Sequence, residues 1–173
     1  MNTNLLERPA SSRQGIDDQR ADDATFVTLT VADQLCGIPV LGVRDVLGEQ
    51  TITRIPLASR EIAGSLNLRG RIVTAIDLRR RLGLPDAPLG TPPMSVVAEQ
   101  GGELYALLVD QVSEVMTLSP SSFEANPPTL PPHWSEFSAG IYRLQDRLLV
   151  VLDVTRLLSL GPTSRGPASH GRS

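Results

Sequence analysis

Between residues 25 and 160 the apolar positions come in short bursts separated by turn-forming residues. Phe26–Val31, Leu35–Leu47, Thr51–Ile55, Gly64–Leu68 and Arg71–Ile76 are rich in Val, Ile, Leu and Thr, which predicts strands. Pro39 lies inside the second run, and its missing N–H places it at an edge or a bulge. Arg69-Gly70 separates two strand-like runs, and Gly70 supplies the positive φ of a tight hairpin. Asp77 is placed to cap a short helix over Leu78–Leu82 that stops at Gly83, and Asp153 repeats this before Val154–Leu158.

The pattern occurs twice. Ala63–Leu82 aligns with Ala139–Leu158 at an offset of 76, with seven of 20 positions identical, Gly64/Gly140, Leu68/Leu144 and Asp77/Asp153 among them. Average composition gives about one or two identities by chance. Upstream, residues 37–47 align with 106–116 at an offset of 69, with Val40/Val109, Val43/Val112 and Val46/Val115 identical and Asp45 opposite Glu114. The second half therefore carries a connection seven residues longer, which includes the Pro-rich stretch 126–132. Two copies imply one duplicated unit, since a solenoid needs three or more.

The fold class follows: mainly β, with two small five-stranded barrels packed together and short helices. The first barrel is expected mainly over 25–83 and the second mainly over 94–155, with a closing helix at 154–158. Residues 1–24 read as a flexible polar arm. Residues 161–173, with Gly, Pro or Ser at eight of 13 positions, read as a flexible tail.

Composition narrows the function. The chain has 173 residues, 40% of them hydrophobic, enough for a sizeable core. Its longest apolar run is the six residues Leu104–Val109, whereas a spanning helix needs about 20. Neither insertion in a membrane nor a signal peptide is expected. One cysteine, Cys36, cannot form an internal disulfide or a cysteine zinc site, which fits a reduced cytoplasmic setting. All 16 cations are Arg, so Schiff-base and phosphate-loop lysine chemistry are excluded. A net charge of -3 and 3% aromatic residues argue against nucleic acid.

Candidate chemistry is sparse. His133 and His170 have no ligand partners at metal spacing, so neither a metal nor a cofactor site is expected. Cys36 reads as a buried small hydrophobe. Asp77 and Asp153 read as helix caps rather than an acid–base pair, because a structural role recurs in both copies. Arg79, Arg80 and Arg81 read as a solvated helix face that suits the helix C-terminus. Asp45 and Glu114 read as the polar face of alternating strands. No catalytic residue is assigned. The hairpin 67–70 differs: its Leu68 recurs in the second half, while Asn67, Arg69 and Gly70 become Arg143, Gln145 and Asp146. A divergent tip on a rigid scaffold marks Arg69 as a partner-binding candidate.

This hairpin also carries a resemblance. The stretch 64–84, GSLNLRGRIVTAIDLRRRLGL, resembles the signature of the CheW family of chemotaxis coupling proteins, which runs roughly G-x-x-N-L-R-G-x-x-x-P-x-I-D-L. LCGIPVLGVRDVL (35–47), LYALLVDQVSEVM (104–116) and RLLVVLDVTRLL (147–158) are similar to further family segments in the right order. The family's usual Pro is Thr74 here, and its usual Glu is the shorter Asp45.

The resemblance implies two SH3-like five-stranded barrels and a scaffold without chemistry of its own. It implies two partners: the regulatory domain of a CheA-type histidine kinase and the cytoplasmic tips of methyl-accepting chemoreceptors, joined in arrays beneath the membrane. Carried over by motif position, the receptor-facing groove involves Val43, Asp45, Gly64, Asn67, Arg69 and Gly70. Val43 would give apolar contact, Arg69 a forked donor, and Gly64 and Gly70 room for close backbone approach. The alternative within the same fold is a scaffold of a non-chemotaxis signalling pathway. A small β-barrel enzyme or ligand-binding protein would need a base, nucleophile or metal set, which the sequence does not supply.

Overall fold

The computed structural model describes residues 23–160. The expected arm and tail lie outside the described residues, except that Ala24 already opens the first strand. In chain order the elements are β1 (Ala24–Val31), β2 (Gln34–Pro39), β3 (Val43–Leu47), β4 (Ile62–Leu68), β5 (Arg71–Asp77), α1 (Leu78–Arg81), β6 (Met94–Gln100), β7 (Glu103–Val109), β8 (Gln111–Leu118), β9 (Phe123–Glu124), α2 (Pro132–Ser135), β10 (Ser138–Arg143), β11 (Leu148–Leu152) and α3 (Val154–Leu157). They form a six-stranded sheet, β8-β1-β2-β11-β10-β9, and a five-stranded sheet, β3-β6-β7-β5-β4.

This order corrects the sequential division of the chain. The first-half hairpin β1–β2 belongs to the second half's sheet, and the second-half hairpin β6–β7 belongs to the first half's sheet. Each donated hairpin is joined by a parallel pairing, β2 with β11 and β5 with β7, while the other ladders are antiparallel. The two subdomains are therefore residues 24–39 with 111–152, and residues 43–109. The duplication is real, but each unit exchanges its first hairpin with the other. Neighbours in sequence were assigned to the same barrel because local continuity is the default (sequential strands pair about two-thirds of the time).

Burial follows from the exchange. One cluster, with Leu66, Val73, Ala75, Val97, Ala106 and Leu108, lies on one face of the five-stranded sheet. A second, with Phe26, Leu35, Tyr142, Leu149 and Val151, does the same for the six-stranded sheet. The opposite faces share the largest cluster, which includes Leu29, Ile38, Ile76, Val96, Leu107 and Val150. Along β7, Ala106 and Leu108 face one cluster while Leu107 and Val109 face the other. Burial on both faces explains why Leu104–Val109 is an unbroken apolar run rather than an alternating one.

Local expectations fare unevenly. Pro39 is the last residue of β2, and a 3-10 turn over Val40–Gly42 divides the expected long strand into β2 and β3. The expected strand Thr51–Ile55 is reduced to one bridge, Thr53 with Ser65. Asp77 and Asp153 cap α1 and α3, accepting from Arg80 N at 3.2 Å and Arg156 N at 3.1 Å. The caps extend the symmetry, since Asp77 N donates to Glu61 O and Asp153 N to Phe137 O, both at 2.8 Å. Cys36 is fully buried, and burial pushes its thiol up, away from the reactive thiolate.

The basic triplet is not a solvated face. Arg79 grips Asp110 through Nε at 2.9 Å and Nη2 at 2.7 Å, and Asp110 also accepts from the Ala32 backbone at 2.8 Å. Arg80 pairs with Asp86 at 3.1 Å. Arg81 donates to the backbone oxygens of Leu157, Arg156 and Ser159 and lies 4.8 Å over the Phe137 ring. Arg79 thus links α1 to both sheets, and Arg81 caps the C-terminal end of α3. Sequence spacing could not show these partners, which lie 31 and 75–78 residues away.

Asp110 gives the fold a pH signature. The Arg79 guanidinium holds its carboxyl below the usual range, helped by the Ala32 N–H. A depressed folded-state pKa means the stabilisation is complete above the unfolded value of about 3.9 and is lost as pH falls through the folded one. Asp110→Asn should lower the melting temperature at pH 7 and flatten its fall between pH 5 and pH 2. An unchanged acid limb in the variant would remove Asp110 from this role.

Candidate functional site

The site residues gather where the two edge strands of the five-stranded sheet approach each other. β3 is one edge and β4 the other, and the sheet curls enough for Arg69 Nη1 to stand 3.1 Å from Asp45 Oδ2. Arg69 is 78% exposed and Asp45 24%. Asp45 Oδ1 accepts from the Val46 N–H at 2.8 Å, while Oδ2 is sealed from solvent without an aligned hydrogen bond. The ion pair is close but poorly aligned, and such a pair contributes at most about 1 kcal/mol.

Asp45 does not sit on a polar face. It shares the half-buried side of β3 with Val43 and Leu47, and Arg44 and Val46 are the exposed residues. A register shift between Val43 and Asp45 against β6 accompanies the outward turn of Arg44, which pairs with Glu99 at 3.0 Å. Val43 packs against the shared core and is only partly open to solvent. The shorter Asp at position 45 still reaches Arg69 within the chain.

The hairpin tip is tightly specified. β4 and β5 are joined by Arg69-Gly70, with φ of 52° and 88°. Positive φ at both central positions is the type I′ pattern, which matches the strand twist. Gly adopts it freely, whereas Arg costs about 1–2 kcal/mol in the left-handed region. Asn67 Oδ1 accepts from Gly70 N at 2.8 Å and pins the turn. The turn thus holds Arg69 outward in the left-handed region, as the β1–β2 turn does Ala32 and Asp33.

Gly64 has a different role from the one its motif position implied. It is buried, at φ +148°, and a Cβ there would meet Thr53 O at 2.2 Å. The backbone that approaches it closely is the chain's own. Gly140 repeats this at φ +154°, with the Phe123 ring and Glu124 O above it. Gly70 has nothing within 4 Å and stays open to a partner.

Sequence reasoning missed Ile72. It is 73% exposed, opposite Asn67 in the β4–β5 ladder, so an apolar side chain stands beside the charged tip. Alternation against Val73 and Ala75, both fully buried, was the signal that placed it outside. Among the described residues no group of three or more His, Cys, Asp or Glu is placed to hold a metal ion, and no helix is long and apolar enough to cross a membrane. His133 lies in α2 beside Trp134, and His170 lies outside the described residues.

Comparisons with known proteins bear on the fold and the family. Residues 25–161 match the CheW-like domain family. The chain is 30% identical over 134 residues to the chemotaxis protein CheW of Klebsiella aerogenes, covering 78% of this chain and 81% of that one. It is 26% identical over 137 residues to the probable chemotaxis protein CheW of Rhizobium etli, covering 79% and 88%. The crystal structure of the scaffolding protein TtCheW from Thermoanaerobacter tengcongensis superposes with a TM-score of 0.71 at 28% identity, covering 80% of this chain and 94% of that one.

The glycines provide a direct check on the local geometry. Gly64→Ala should destabilise the protein by roughly 2–5 kcal/mol, combining the left-handed backbone with a forced shift of the 51–53 segment. Gly70→Ala should cost only about 1–2 kcal/mol, from the backbone alone. Denaturant melts that rank the two in the opposite order would contradict this assignment.

Proposed function

We propose, taking as premise that this chain belongs to the CheW-like family, that it is a non-enzymatic coupling adaptor of chemotaxis. It joins the cytoplasmic tips of methyl-accepting chemoreceptors to the regulatory domain of a CheA-type histidine kinase. It does so in the cytoplasm, at arrays beneath the membrane. The observation that carries this reading is the Arg69 tip. A charged residue is held outward by a strained turn, on a hairpin whose apolar positions recur in the other half while its tip does not.

The receptor face in this reading centres on Asp45, Asn67, Arg69 and Gly70, with Val43 lending partial apolar contact. Gly64 supports it from beneath by letting the 51–53 segment pack onto β4. The arrangement suits an α-helical partner that offers a carboxylate or carbonyl to the Arg69 fork and an apolar side chain to Ile72. The Asp45 carboxylate holds the guanidinium near β3 before the partner arrives, which reduces the ordering entropy of binding. Nothing in this role requires bond making, and affinity shared over several weak contacts suits an assembly that must transmit changes of state.

Arg69→Glu tests the reading. Co-sedimentation with receptor-bearing vesicles should show at least about a tenfold loss of affinity, equivalent to about 1.4 kcal/mol. The variant's melting curve should stay close to the parent's, because the side chain is exposed. Undiminished recruitment by a folded Arg69→Glu protein would overturn the assignment.

A further inference from the structure

The duplication makes two crossovers between the sheets equivalent, and they are held very differently. Between β7 and β8 the chain crosses at Asp110, whose carboxylate is held by Arg79 and by the Ala32 N–H. The Asp110 N–H in turn donates to Thr30 O at 3.0 Å. The offset of 69 carries Asp110 to Leu41, in the crossover between β2 and β3. That crossover is the 3-10 turn Val40–Gly42, which has no buried residue and no side-chain cap. Leu41 is 90% exposed, and a Cβ added at Gly42 would meet nothing within 4 Å.

The residue pattern adds a second observation. Residues 35–47 predict one continuous strand, which the turn breaks into β2 and β3. Pro39, at the head of the turn, is already extended at φ -54° and ψ 132°, and Val40 is β-branched. Local preference favours a straight segment, whereas the folded chain bends it and leaves a large apolar side chain in water. The hairpin beyond the turn is a separable piece. Outside itself it pairs with β8 and β11, and among the described residues only 40–42 tie it to the rest of the chain.

We propose that a second copy of this chain completes the six-stranded sheet by exchanging this hairpin. In the exchanged dimer 40–42 straightens to span about 10 Å, and residues 24–39 of each copy lie between β8 and β11 of the other. Each ladder of the hairpin and the Asp110–Ala32 bond are kept, but between copies, and only the turn changes. The exchange repeats between chains what the two halves already do within one. The two-fold axis passes between the straightened segments, where Leu41 of one copy is buried against the other. Asp45 and Arg69 lie in the subdomain that does not move, so the inference stands or falls independently of the coupling role.

The test uses the full-length protein carrying Thr25→Cys and Thr117→Cys. These residues face one another across the β1–β8 ladder with their hydroxyls 3.1 Å apart, so a disulfide there records which copy supplied β1. Cys36 is buried and does not compete. The protein is refolded from denaturant at about 1 mM, separated by size, oxidised and run on a denaturing gel without reductant. A dimer should form whose two chains are covalently joined, while monomer from the same refolding carries the bond within one chain. Deleting Leu41 and Gly42 leaves too little chain to turn back and should raise the dimer-to-monomer ratio at least about tenfold. Inserting Gly-Ser-Gly-Ser after Leu41 should lower it by a similar factor. Monomer alone after refolding of the protein with its turn intact would overturn the proposal. So would a dimer whose disulfide stays within each chain, which is the mark of association through outer surfaces.

Discussion

Neither half of this chain can complete its own sheet. The parallel joints between β2 and β11 and between β5 and β7 are made by hairpins that each unit gives to the other. The largest apolar cluster lies where the exchange brings the two sheets back to back. Hydrophobic burial there is contributed by both halves at once, so neither subdomain keeps its core if the other unfolds. A fold tied in this way behaves as one cooperative unit, with surface loops free to vary over a rigid frame.

Polar groups reinforce the exchange where the chain passes from one sheet to the other. Asp110 lies between β7 and β8 and receives both the Arg79 guanidinium and the Ala32 N–H. Arg81 answers from α1 to the carbonyls at the end of α3. These contacts satisfy charges and helix ends that would otherwise be costly to bring together. Among the surfaces the frame leaves exposed is the seam between β3 and β4 of the five-stranded sheet, with the Asp45–Arg69 pair across it and Ile72 alongside. The proposed receptor face lies at that edge.

Much of this was legible in the sequence. Most of the strands, the Asp77 and Asp153 caps and the Arg69-Gly70 hairpin rest on local patterns, and the duplication on their recurrence, all of which survive in a chain read by itself. The exchange of hairpins was not legible, because similarly patterned units give the same hydrophobic pattern whether they pair with themselves or with each other. The partners of Arg79 and Arg81 were hidden for the same reason: a contact at long sequence separation leaves no periodic trace. Asp45 was placed on the wrong side of β3 because two flanking valines suggest alternation, whereas Val43 and Asp45 in fact share a side and Val46 is exposed. Gly64 shows a subtler limit. Its motif position implied room for a partner's backbone, whereas the space above it is taken by Thr53 O of the chain itself.

The coupling role joins these levels. A double-sheet frame presents a charged hairpin, and the chain belongs to the CheW-like family, whose relatives are chemotaxis and scaffolding proteins. Calorimetric titration of the full-length protein with the regulatory domain of the CheA-type kinase from the same genome tests this most directly. The account predicts saturable one-to-one binding, micromolar or tighter. Absence of binding to every such kinase in that genome would contradict it.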